Sequence, residues 1–226
     1  QGVMAGGVSI GFTGYGSMKS RHHIGPELQI GHRLGDHFEE PVLLIKTAWG
    51  GKSIYKDFRP PSAGGETGEY YQRMLMEVDE ALKNYQEEFP VLKGMKPKWG
   101  GFIWFQGWND MFNQDALAQY EENLVHLIKD LRTRLNQPNL PVVVGELGNM
   151  GEDAGTNMKF IREAQRKACQ RKEWKGRVSF VKTTKFARPK EESPNVGHGH
   201  HWFGNAESYF LIGDALGKEM VRLLQK

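Results

Sequence analysis

The chain alternates short apolar runs, bounded by glycine or proline, with longer segments whose apolar residues recur every three or four positions. Residues 141–146 (PVVVGE) are the plainest of the runs. An unbroken apolar stretch of that length reads as a strand buried on both faces, which a parallel sheet requires. Residues 41–48 (PVLLIKTA), 101–106 (GFIWFQ) and 177–182 (RVSFVK) read the same way. Between them lie helical stripes: Tyr71, Leu75, Val78, Leu82, Tyr85 and Phe89, then Leu117, Tyr120, Leu124, Leu127, Leu131 and Leu135. Met158, Ile161, Ala164 and Ala168 mark a shorter helix with a basic outer face. Ala206, Tyr209, Leu216, Met220 and Leu223 mark a closing one. Gly25-Pro26-Glu27 opens a helix expected to reach about Phe38, with Pro26 in its first turn. Regular βα alternation implies one α/β domain, residues 1–226, with four parallel strands and helices on both faces. Residues 1–21 are glycine-rich, and only Val8 to Phe12 within them resemble a strand.

Composition narrows the function classes. A net charge of +3, from 30 basic and 27 acidic residues, leaves no basic surplus for nucleic acid. No apolar run reaches the roughly 18 residues of a membrane-spanning helix. Cys169 is the one cysteine, so an internal disulfide and a four-cysteine zinc site are excluded. Oligomeric state is not readable.

In parallel α/β sheets, ligands sit beyond the carboxyl ends of the strands. Each run here is followed by a polar or glycine-rich segment: Trp49-Gly50-Gly51-Lys52-Ser53, Gln106-Gly107-Trp108-Asn109-Asp110, and Gly145-Glu146-Leu147-Gly148. His198-Gly199-His200-His201-Trp202 precedes the last helix. Gly50 or Gly51 can aim a backbone N–H at a substrate oxygen, and the Asn109 amide can join it, forming an oxyanion hole. A histidine on the late loop suits a general base. His201 is favoured and His200 is the runner-up. Gln106 and Asp110 either bind substrate or brace the Gly107 turn. Trp49, Trp108 and Trp202 flank these segments, where rings either stack on a ligand or pack. Three of the eight histidines fall within residues 198–201, but no cysteine or histidine cluster elsewhere completes a zinc set, so no metal is expected.

The ordered set of motifs resembles the SGNH (GDSL-like) hydrolases, in the branch of sialate O-acetylesterases and acetylxylan esterases (carbohydrate esterase family 6-like). Gly107-x-Asn109-Asp110 is similar to that superfamily's third block, and Gln106-Gly107-x-x-Asp110 to the branch's QGxxD pattern. Gly25-Pro26-Glu27-Leu28, Trp49 to Ser53, and His201-Trp202 through Asn205-Ala206-Glu207 follow in the branch's order. The resemblance implies a three-layer α/β/α, flavodoxin-like fold. It also implies a serine hydrolase that removes acetyl esters from sugars without a cofactor, and it favours a secreted or periplasmic location.

Two departures accompany it. The block carrying the family's nucleophilic serine is absent, so the chain is expected to be a carboxyl-terminal portion lacking the first central strand and inactive alone. Ser17 in Gly16-Ser17-Met18 is the rival nucleophile. The family's aspartate three residues before the catalytic histidine is replaced by His198. Glu146 is then the candidate triad acid, its other reading being a buried hydrogen-bond partner for a neighbouring loop. The alternative function is a non-catalytic carbohydrate-binding relative. A nucleotide or flavin binder would need a phosphate-cradling loop, and no such pattern occurs.

Overall fold

A computed structural model describes residues 24–226. Ser17 and the run from Val8 to Phe12 lie outside the described residues. Strands β1 (Phe102–Trp104), β2 (Val142–Gly145) and β3 (Val178–Val181) form a parallel sheet in the order β1-β2-β3. Register pairs Ile103 with Val143 and Val143 with Ser179.

The helices are α1 (Pro26–Gly35), α2 (Glu69–Glu88), α3 (Gln114–Arg134), α4 (Thr156–Cys169) and α5 (Ala206–Leu224). α2 to α5 fall on their expected apolar stripes, and α1 starts at Pro26 as expected but ends at Gly35, short of Phe38. α3 starts where it does because the Asn113 side chain accepts the Ala116 N–H (2.9 Å), and Asn205 caps α5 on the Ser208 N–H (3.0 Å).

Alternation along β2 divides the core in two. Val142 and Val144 point toward Tyr120, Leu124, Ile128 and Ile161, in the layer built by α2, α3 and α4. Val143 points the other way, toward Ile30, Leu34, Ile212 and Leu216 of α1 and α5. A two-sided sheet of this kind explains why the strands read as continuous apolar runs. Cys169, at the end of α4, is buried in the first layer, and burial pushes its thiol up to about 12.

One expected strand is absent. Residues 41–48 take no place in the sheet. Pro41 and Val42 are exposed, and only Leu44 packs partly against the α1–α5 cluster. An apolar run becomes a strand only where a neighbour completes its ladder, and among the described residues none pairs with this one.

The closest helix contact depends on two glycines. Gly213 and Gly217 lie four apart on α5, and a methyl group at Gly213 would overlap the Pro26 carbonyl of α1. At Gly217 it would sit 2.7 Å from the Arg33 Cβ. Gly35, at the end of α1, has nothing within 4 Å of such a methyl group. Gly213→Ala should therefore lose about 1–3 kcal/mol by overpacking, despite a better helix former. Gly35→Ala should be neutral or gain up to about 1 kcal/mol. Urea unfolding of the two variants against the parent chain checks the opposite signs.

Candidate active site

The turn after β1 is held from below by buried polar groups. The Asp110 carboxylate is fully buried. It accepts the backbone N–H of Ile54 and of Tyr55, each at 3.0 Å, and the Gln106 side-chain amide at 2.6 Å. The same Gln106 amide donates to the Lys52 carbonyl at 2.9 Å. Asp110 and Gln106 thus tie the turn at 106–110 to the loop at 50–58, which the sequence places far away. Of the two roles open to these residues, bracing is the one their bonds display. Burial pushes Asp110 up to about 6, against the pull of the Gln106, Ile54 and Tyr55 donors.

Two further groups complete the support. The Tyr120 hydroxyl, on α3, donates to the Gln106 carbonyl at 2.8 Å. Gln165, on α4 and fully buried, donates to the same carbonyl at 2.9 Å and accepts the Leu147 N–H at 2.9 Å. Neither had a signal in the sequence: Tyr120 sits on an apolar stripe, and Gln165 on a helix rich in polar residues. Gly107 is required by close approach, since a Cβ there would lie 2.9 Å from the Ile161 side chain.

On this base the oxyanion candidates meet. Gly51 adopts a left-handed φ of 71°, which glycine tolerates best. The Asn109 amide nitrogen lies 3.8 Å from where a Cβ on Gly51 would be. The 50–51 turn and Asn109 therefore share one corner of the molecule, beyond the carboxyl end of β1.

The histidine loop reaches the same corner. The His200 ring lies 5.7 Å from the Trp108 ring, centroid to centroid, and the His201 ring 4.4 Å from His200. His200 is exposed and His201 half-buried. Burial lowers the pKa of both, with the neighbouring histidines adding to the effect. The loop is strained: Trp202 and Phe203 both have φ of 53°, a left-handed conformation uncommon outside glycine. Both rings are buried, Trp202 against the α1–α5 cluster, and that burial holds the backbone in place. The Asn149 amide fastens the loop further by donating to the Gly199 carbonyl at 3.0 Å. Among the described residues, no group of three or more histidine, cysteine or acidic side chains could hold a metal ion.

Glu146 follows β2 and is buried. Its Oε2 accepts the N–H of Thr183 and of Thr184, each at 2.8 Å, and the Thr184 hydroxyl at 2.7 Å. These are the bonds of a buried partner for a neighbouring loop, the second of its two sequence readings. They clamp the segment leaving β3 to the end of β2.

A family model described as carbohydrate esterase, sialic acid-specific acetylesterase, matches residues 13–222, and the chain belongs to this family. A probable carbohydrate esterase of Arabidopsis thaliana is 27% identical over 146 residues, covering 63% of this chain and 47% of the relative. The chain thus spans about half the length of that curated relative. The X-ray structure of an Arabidopsis thaliana protein shares the fold, with a TM-score of 0.63 at 20% identity over 88% of this chain and 68% of the other. The architecture is α/β, with helices on both faces of a parallel sheet, as the expected fold requires.

The Asp110 geometry has a pH consequence. Its folded pKa of about 6 lies above the ordinary 3.8, so between those values the native state holds more protons than the unfolded chain. Stability from this group is present below about pH 4 and is lost as pH rises through 6. Asp110→Asn removes the titration. The stability of the parent relative to this variant should fall by on the order of 2–3 kcal/mol from pH 4 to pH 7. Urea titrations at several pH values measure it, and a flat difference would mean that the carboxyl is not perturbed.

Proposed function

We propose that this chain carries the oxyanion-binding and general-base half of a carbohydrate O-acetylesterase of the serine-hydrolase type. The observation that supports it most is the meeting of the Gly51 turn, Asn109 and the histidine loop at one corner beyond β1. An acyl-transfer site needs oxyanion donors and a base flanking one carbonyl. The rigid support beneath this corner suits donors that must not reorganise during reaction.

In this reading, a serine outside the described residues attacks the acetyl carbonyl carbon. His201 takes the hydroxyl proton as the oxygen–carbon bond forms. The Gly50 or Gly51 N–H and the Asn109 amide hold the resulting oxyanion. Collapse breaks the bond to the sugar oxygen, which leaves with the proton from His201. Water then attacks the acyl-enzyme and releases acetate. Gln106 and Asp110 act as positioning residues for the 50–55 loop. Glu146 positions the segment after β3.

The 226-residue chain is expected to turn over 4-nitrophenyl acetate or acetylated sugars little or not at all. Robust turnover abolished by Ser17→Ala would place the nucleophile in the glycine-rich segment instead. In the longest natural form of the protein, Asn109→Ala should lower kcat by about a hundredfold or more, and His201→Ala by about a hundred- to ten-thousandfold. Burial lowers the His201 pKa, so the acid limb of kcat/KM should have its midpoint below the ordinary histidine value of 6.5. Glu146→Gln separates its two roles. Its amide oxygen can still accept from Thr183 and Thr184, so activity should change only a few-fold. A fall of about ten-thousandfold would make Glu146 the triad acid. Sugar binding with no turnover by any natural form would make the protein a carbohydrate-binding relative.

A further inference from the structure

Phe112 is a large aromatic side chain left 70% exposed. It stands beside the candidate site on a backbone pinned at both ends. The carbonyl of the preceding residue, Met111, accepts the Asn157 amide of α4 at 2.8 Å. The following residue, Asn113, is the cap that starts α3. The ring is therefore presented to solvent by a fixed frame. It lies 6.1 Å from the Trp108 ring, edge to face. Trp108 lies 5.7 Å from His200, and His200 4.4 Å from His201. Four rings form a continuous row from the candidate base outward.

We propose that Phe112, Trp108 and His200 form a platform for the sugar chain that carries the acetyl ester, with Phe112 binding a sugar unit beyond the one being deacetylated. This rests on the esterase reading and adds to it a specificity residue, Phe112, for the sugar unit beyond the one that is deacetylated. Three features support a carbohydrate occupant. The row begins at the proposed base and ends open in solvent, so its occupant must be longer than an acetyl group. The rings are tilted from one another, by 64° and 50° at the two outer steps, which gives separate faces for successive C–H surfaces rather than one flat apolar patch. Two imidazole groups form the inner end of the row and offer hydrogen bonds to hydroxyl edges. The Asn195 amide lies 3.0 Å from the His198 ring nitrogen at the same rim. A platform of rigid rings also loses little side-chain entropy on binding.

The test compares two substrates, partly acetylated xylotriose and 4-nitrophenyl acetate, in the longest natural form of the protein. Phe112→Ala should lower the ratio of the two kcat/KM values about tenfold, through KM for the oligosaccharide, and Phe112→Tyr should restore it. An unchanged ratio overturns the platform. So does a loss that shifts to 4-nitrophenyl hexanoate, which would make the row an acyl-chain surface. Saturation-transfer NMR with unacetylated xylotriose gives a readout independent of turnover. Binding that weakens in Phe112→Ala supports the platform even if neither ester is cleaved, in which case only the esterase reading fails. Xylotriose that shows no binding to the parent protein overturns the proposal.

Discussion

The buried carboxylate of Asp110 is the constraint on which the rest of the site depends. A charge-bearing group at 0% exposure must find donors inside the protein, and it finds them on two segments that the chain does not bring together by itself. Ile54 and Tyr55 supply backbone N–H groups from one loop, and Gln106 supplies its amide from the other. These bonds replace what a shared sheet ladder would otherwise do. The segment at 41–48, which leads into the first loop, takes no ladder partner among the described residues. The loop is nonetheless fastened where it meets Asn109. Tyr120 and Gln165 extend the same network into α3 and α4, so the corner that holds Asn109 stands on the buried layer built by those helices.

The opposite side of the corner is organised differently. The histidine loop is held by apolar burial against backbone strain. Trp202 and Phe203 accept left-handed geometry because their rings fill space that would otherwise be empty. One wall of the proposed site is thus fixed by buried hydrogen bonds, and the other by packing with the Asn149 bond to Gly199 added. Sequence changes will affect them differently: polar substitutions weaken the first wall, and volume changes the second.

The helices and three of the four expected strands were legible, because their apolar periodicity was undisturbed and a neighbour existed to use it. Residues 41–48 depart from expectation because an apolar run shows that a segment can enter a sheet, and says nothing of whether a partner strand lies beside it. Within the candidate site, Gly51, Asn109 and His201 stand out by residue type and by position after an apolar run or before a helix, and the proposed roles rest on that together with their shared corner. Glu146 was ambiguous for a physical reason. A carboxylate at a strand end serves equally well as a catalytic acid or as an acceptor for loop amides, and only its bonds to Thr183 and Thr184 display the latter. Tyr120 and Gln165 were invisible, since a buried hydroxyl and amide on helix faces differ from ordinary helix residues only by what they touch. The same holds for Phe112, whose interest lies in its exposure.

Cys169 has a consequence for where such a fold can operate. It is the only thiol in the sequence, it is buried at the end of α4, and burial keeps it protonated far above neutral pH. A protonated, shielded thiol is a poor nucleophile and a poor target for oxidants. The fold therefore owes nothing to a covalent cross-link and offers nothing for one to form. Within this chain no disulfide forms or breaks between reducing and oxidising surroundings, so thiol–disulfide chemistry leaves its packing free energy the same.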